Sequence, residues 1–450
     1  MGKPKTFRRF LLRAFGVLAF CAVSGYALFF AYGYNLDLRG RHIEKTSIID
    51  VADRYSEVRV YLDDKIVGNS LPLQIKDLLP GSYHLAVNKL GYSPWNRKLE
   101  VQTDFVTKVD DLVLVPEHPD AFIQQLVHFS DKSRYFFGND NARDFFIVLS
   151  PDHDYLTLVY LQKAGTIKEE ELKLSRQDIQ DIHIYDPQNF LVTFADGTYE
   201  WVEFGGPRFV DFALPKGVGN LTFLPSQNLA FFLYNHGLYR VPIQLLSTVT
   251  VKNLASFLLL KNVDQFDIHE NGLWYLAQGM AYSSDNNGKN VRLIDRSKTL
   301  AALRFIPFSL GLGGLDVVET LDHQRMLYAV DERGFSTLLT PQLKNDVYQD
   351  GAGRVLFADG SGNIFLYKTL TRKKVLVTIL PLDFALLGFM FQDGHFLFIR
   401  QQQVFLADST FTNVYALFSH QENTSYFLGQ EALHFLNDHK LKSLFLLPKQ

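Results

Sequence analysis

Several stretches of the chain bring polar side chains close enough together to suggest chemistry. Asn139-Asp140-Asn141 with Asp144 gathers the side-chain oxygens that a hard cation such as calcium takes. Their spacing is not that of a regular calcium loop, so a solvated turn accounts for them. Gly311-Leu312-Gly313-Gly314 follows an apolar stretch. A glycine-rich loop cradles phosphate where it opens a helix after a strand, and no such context surrounds this one. It reads as a plain loop. Ser283-Ser284-Asp285-Asn286-Asn287-Gly288 is the longest polar loop and is expected to protrude, although solvent exposure alone accounts for it. The 13 histidines are scattered, mostly in turns such as His153, His236 and His395, and none forms an i, i+4 metal pair on a helix.

Motifs with a fixed mechanism are missing: no nucleophile elbow, Walker loop, His-Glu-x-x-His or EF-hand series is present. Trp95, Trp201 and Trp274 read as core or inter-sheet packing. Paired carboxylates for glycoside hydrolysis can converge from distant segments with no local signature. The discriminator is therefore spatial: three or more acidic or histidine side chains converging on one mouth favour a hydrolase, and aromatic and neutral walls favour binding. The sequence assigns no catalytic, cofactor-binding or metal-ligating residue, and the expectation is a non-enzymatic protein without a cofactor.

What must position any such residues follows from composition. A chain of 450 residues exceeds one ordinary core, and 47% hydrophobic residues is too few for a multi-span transporter. A net charge of −3 offers no bulk field for nucleic acid. Phe 39 and Tyr 21 against Met 4 tilt the chain toward pleated, half-buried surfaces. The one cysteine, Cys21, lies in the apolar N-terminal run, so the rest of the chain holds neither a disulfide nor a thiolate metal site.

Residues 14–34 carry no charge and are long enough, at roughly 1.5 Å per residue, to span a bilayer core of about 30 Å. Lys3, Lys5, Arg8, Arg9 and Arg13 precede the run, whereas the charges after it nearly cancel. The positive-inside rule then predicts a cytoplasmic tail (residues 1–13), a transmembrane anchor (14–34), a linker (35–45) and everything beyond on the far side of the membrane. Cleavage near Gly25-Tyr26-Ala27 is a competing reading, and a lipid anchor on Cys21 is disfavoured by Phe20 where a small residue belongs.

Over residues 46–115 short alternating runs are separated by turn signals. Val58, Val60 and Leu62 alternate with polar neighbours, Asp63-Asp64 turns the chain, and Pro80-Gly81 precedes a run with Tyr83, Leu85 and Val87 on one face. Further strands are expected over residues 97–101 and 106–114, giving a small β-sandwich. The turn residues of this segment resemble those of the PEGA domain, with Gly68, Pro72, Leu79, Pro80, Gly81, Tyr83, Gly91 and Tyr92 at matching positions. The Pro-Glu-Gly-Ala tetrapeptide is absent, with Arg54-Tyr55-Ser56-Glu57 roughly in its place. The resemblance implies a bacterial or archaeal envelope setting and an accessory, non-catalytic module.

After a proline-bearing linker, residues 116–120, a unit of aromatic-rich strands and Asp, Asn or Gly turns recurs about every 40 residues to the C-terminus. Such sheets bury their faces by stacking radially, which predicts a seven- or eight-bladed β-propeller over residues 121–450. Residues 122–137 either complete the last blade or stand apart. Ser150-Pro151-Asp152-His153 resembles the Ser-Pro-Asp-Gly turn of TolB-like propellers, with His153 in place of the glycine.

The expected whole is all-β behind a single-pass anchor. It is a membrane-bound extracytoplasmic binding or scaffold protein whose partner is an envelope protein or a surface polysaccharide, not nucleic acid. The alternative is a propeller hydrolase acting on an envelope glycan or peptide. Protease added to intact cells or spheroplasts is expected to digest the C-terminal mass, and protection of that mass until lysis would refute this topology.

Overall fold

The computed structural model describes the chain except for residues 1–14, 26–33, 38–41, 54, 104, 131, 138–144, 150–154, 162–166, 174–175, 177, 187, 204–208, 271, 296–299, 309–312, 332–335, 351, 391–393, 429–431 and 446–450. Residues 15–25 of the apolar run are helical, and among the described residues no helix is long and apolar enough to cross a membrane. The far end of the expected span needs correction. Tyr34 belongs to the strand Tyr34–Asp37, which pairs with His42–Lys45, so the expected linker holds a hairpin. The chain divides into two compact units, at residues 118 and 119.

The first unit contains a sandwich of a three-stranded and a four-stranded sheet. Val58–Leu62 buries Val58, Val60 and Leu62 and turns at Asp63 and Asp64 into Lys65–Gly68. Both aspartates have φ in the left-handed region (47° and 64°), the geometry of a two-residue hairpin that follows the right-handed strand twist. Gly81–Lys89 pairs with Val58–Leu62 on one side and with Trp95–Val101 on the other. Two strands escaped sequence reading. Ser47–Val51 pairs antiparallel with Leu73–Leu78 and parallel with Val106–Val109. The expected strand over 106–114 stops at Val109, although Leu112 to Val115 remain buried. Trp95 is fully enclosed, and Arg97 covers its ring while pairing with Asp111 at 2.5 Å.

Among the described residues the second unit holds eight four-stranded antiparallel sheets, taken in chain order. Sheets 1 to 7 cover residues 134–173, 179–212, 219–261, 265–295, 300–340, 348–379 and 384–419. Sheet 8 combines three C-terminal strands, over 425–445, with Ile123–His128. The period of two decides how they pack. In Phe145–Leu149 of sheet 1, Phe145 and Ile147 face Ile182, Phe190 and Val192 of sheet 2. The alternate residues Phe146 and Val148 face Leu436 and Leu441 of sheet 8. Every strand of this kind is buried on both faces, which explains its near-continuous hydrophobicity. The pattern repeats around the unit. Leu191 and Trp201 pack on sheet 3, Phe231 on sheet 4, Trp274 on sheet 5, Leu315 on sheet 6 and Leu356 on sheet 7. Phe418 of sheet 7 then stacks on Phe435 of sheet 8 at 4.8 Å.

Residues 122–137 therefore split: Ile123–His128 joins the last sheet, and Arg134–Phe137 opens the first. The repeating sequence units fall on these sheets, but some strands lay outside them. Leu258–Lys261 and Leu300–Pro307 are two that were missed. The Asp-rich turns share one device, in which a carboxylate accepts the amides of its own turn and replaces solvent there. Asp359 accepts the N–H groups of Ser361 and Asn363 at 2.9 and 3.0 Å, and Asp408 does the same for Thr410 and Thr412 at 3.0 Å each.

Leu441 is fully enclosed on the seam strand Lys440–Phe445, which pairs with Ile123–His128. Leu441→Ala is expected to lower the unfolding free energy by about 3 kcal/mol, the scale of a buried leucine truncation. Urea denaturation monitors it, and a loss below roughly 0.5 kcal/mol would mean that the seam is not a tightly packed interface.

Candidate functional site

The first strands of sheets 2 to 5 are Ile179–Asp186, Gly219–Leu224, Gln265–His269 and Leu300–Pro307. Each lies at the edge of its sheet opposite the last strand in chain order. Their C-terminal ends enclose a cavity of about 630 Å³. Sheet 2 supplies His183 to Asp186, sheet 3 Thr222 to Leu224 with Pro225 and Ser226, sheet 4 Asp267 to Glu270, and sheet 5 Arg304 to Ile306. Five acidic or histidine side chains thus converge on one mouth from two separate sheets.

The strands are locked to one another around it. Asp267 Oδ2 accepts the amide of Phe305 at 2.8 Å, and Gln265 Oε1 accepts that of Leu303 at 3.3 Å. His269 Nε2 stands 3.4 Å from Asp267 Oδ1. Asp186 is engaged in its own turn, accepting Gln188 N at 2.8 Å and both contacts from Asn189 Nδ2. His183 lies edge-on to Tyr185, centroids 4.5 Å apart, and desolvation pushes its pKa below the ordinary imidazole value against the pull of Asp181. Burial raises the Tyr185 phenol.

Behind this wall, between sheets 4 and 5, sits Asp316. It pairs in register with Phe305, is fully enclosed, and neither carboxyl oxygen has a hydrogen-bond partner. Burial, and then repulsion from Asp267, raises its pKa to about 8. The neighbouring Trp274 stacks on Phe305 with centroids 3.4 Å apart, and its Nε1 also lacks an acceptor. Asp267 and Asp316 are a pair of carboxyls brought together from different sheets, which no local motif announced. Only Asp267 reaches the cavity.

The residues singled out from sequence lie elsewhere or play other parts. Asn139, Asp140, Asn141, Asp144 and His153 fall outside the described residues, as do Gly311 and Leu312. Gly313 and Gly314 are not loop residues: they open the strand Gly313–Thr320. A Cβ on Gly314 would stand 2.2 Å from the Phe305 ring, so close inter-strand approach is what requires glycine there. The loop from Ser283 to Gly288 does not protrude as expected. Asn286 is buried, its Nδ2 donates to the carbonyls of His269 and Glu270 at 3.2 Å each, and Arg240 of sheet 3 donates to Asn286 O at 3.1 Å. It buttresses the rim of the mouth. His236 sits in a turn 3.2 Å from Asp264, but His395 is a buried strand residue. Trp95, Trp201 and Trp274 are all buried. Among the described residues no group of three or more His, Cys, Asp or Glu could hold a metal ion.

Residues 46–117 match the family model described as the PEGA domain. No curated protein matches the chain. Solved structures that resemble it include the Dos1 propeller, at 12% identity over 74% of this chain and 97% of that one, with a TM-score of 0.42. Hsv2 of Kluyveromyces lactis is similar at 8% identity over 60% and 91%, TM-score 0.38. PorZ of Porphyromonas gingivalis, described as an essential bacterial surface component of the type-IX secretion system, is similar at 11% identity over 70% and 45%, TM-score 0.34.

Asp316 yields a pH prediction. Its folded pKa of about 8 lies above the ordinary 3.8, so the folded state holds a proton that the unfolded state releases. The stabilising contribution is full below about pH 4 and is lost as pH rises toward 8, at a limiting slope near 1.4 kcal/mol per pH unit. Asp316→Asn is expected to flatten that fall between pH 5 and 8. Urea midpoints at the two pH values measure it, and an unchanged slope would place the titration elsewhere.

Proposed function

We propose that this chain is a non-catalytic binding or scaffold protein of the cell envelope, in which an N-terminal anchor carries a PEGA sandwich and an eight-bladed propeller outside the cytoplasm. The observation that carries the binding role is the cavity of about 630 Å³ where four first strands converge. A preformed concavity with a few convergent polar groups is the usual form of a binding site. The PEGA match over residues 46–117 supports an accessory, surface-facing setting. The five cations before the apolar run support the orientation.

The alternative is a hydrolase, and one specific observation favours it. His183, Asp186, Asp267, His269 and Glu270 line the mouth, which meets the condition set for catalysis. The placement of the carboxyls nevertheless weighs toward binding. Glycoside hydrolysis needs a protonated carboxyl that touches the leaving oxygen. The carboxyl with the raised pKa, Asp316, is enclosed behind the wall, and Asp186 and Asp267 are occupied with backbone and amide donors. Binding is the better reading.

The full-length chain in detergent, used to capture partners from envelope extract, tests it. A partner recovered by the native protein is expected to be lost with Ser226→Trp, which fills the mouth from its rim. Equal recovery would move the binding surface elsewhere. Cleavage of envelope glycan or peptide by the native protein, abolished in Asp267→Asn, would replace binding with hydrolysis.

A further inference from the structure

A second cavity, of about 420 Å³, opens beside the mouth and shares Asp186, Pro225 and Ser226 with it. Its remaining walls come from later strands of sheet 2 (Trp201, Glu203) and from Asn228 and Gln244 of sheet 3. The two spaces therefore adjoin across these three residues, one at the first strands and the other between later residues of sheets 2 and 3. Adjoining spaces of that form, taken together as one groove, suit a chain better than a compact molecule.

Its charge is one-sided. Among the described residues Asp186, Glu203, Asp267 and Glu270 line it against Arg304 and the histidines His183 and His269, and no lysine borders either cavity. A cleft lined by one sign of charge between low-dielectric walls concentrates the opposite sign. Its aromatic residues, meanwhile, are already used. Trp201 is buried and stacks on Phe223 with centroids 4.2 Å apart, and Tyr185 packs against both rings at 5.5 Å. These rings are engaged with one another, whereas backbone amides need only the side-chain oxygens and nitrogens of Ser226, Asn228 and Gln244.

We infer that this groove takes an extended, basic segment of a partner protein, with lysine or arginine side chains directed at the carboxylates and the peptide backbone lying along the polar floor. The inference rests on the binding reading above and narrows its occupant from any envelope ligand to a cationic peptide.

Fluorescence anisotropy with the full-length chain in detergent tests it. The probes are labelled twelve-residue peptides alternating serine with arginine, with glutamate or with glycine, and a labelled chitooligosaccharide. The arginine peptide is expected to bind, and to weaken severalfold between 50 and 300 mM NaCl as screening grows. Glu203 and Glu270 are exposed, one in each cavity, so Glu203→Gln with Glu270→Gln leaves packing intact. That double variant is expected to bind the arginine peptide about tenfold more weakly, from roughly threefold per charge. Unchanged affinity in the double variant would place the peptide elsewhere and overturn the inference. So would preference for the glutamate or glycine peptide or the oligosaccharide, although blockage of that binding by Ser226→Trp would leave the binding reading intact. If no probe binds and envelope capture is also empty, both readings fall together.

Discussion

Each of the eight sheets in the second unit is apolar on both faces, and that single constraint organises the rest. A sheet with one greasy face can float on a core with its other side in water, but Phe145–Leu149, which carries hydrophobic side chains at all five positions, cannot. It must be covered twice. Alternate residues of one strand therefore belong to different cores, as with Phe145 against sheet 2 and Phe146 against sheet 8. A row of such sheets has two uncovered ends, and the packing of sheet 8 on sheet 1 removes them. Aromatic residues suit the wedge between neighbouring sheets because flat rings fill it by stacking. Trp201 on Phe223 and Trp274 on Phe305 are instances, each pair adding roughly 0.5–1.5 kcal/mol beyond the area it buries.

The same constraint makes the mouth. First strands from four successive sheets lie side by side, so residues scattered from His183 to Ile306 meet around one space. Their carboxylates can remain close because several are satisfied by fixed donors: Asp186 by its turn, Asp267 by the Phe305 amide. Asp316 has no such donor and keeps its proton instead. Burial, and then the nearness of Asp267, is what raises the Asp316 carboxyl.

Much of this architecture was legible from residue types, and the failures have physical causes. The turns of the sandwich were readable because Asp63, Asp64 and Gly91 mark conformations that few residues adopt. The repeat was readable because turn aspartates recur with the sheets. Leu300–Pro307 was missed because Ala-Ala-Leu-Arg-Phe has no clean alternation, and its faces are set by neighbours on both sides. Leu258–Lys261 was missed because short 3-10 turns separate it from the rest of its sheet. The loop at Ser283 looked solvent-bound from polarity alone, whereas the donors and acceptors of the adjoining rim draw Asn286 inward. The mouth itself was invisible. Its residues share no local pattern, and only the register of four strands brings them together.

The seam has a consequence for how the molecule is made. Ile123–His128 emerges early in synthesis, yet the strand it pairs with, Lys440–Phe445, emerges more than three hundred residues later. Until then that early strand offers a bare hydrogen-bonding edge, and sheet 1 lacks the cover for Phe146 and Val148. Intermediate sheets can zip up one after another as they appear, but the circle waits for its last piece. The growing chain would thus stay open, and exposed to proteases, until nearly all of it had been made.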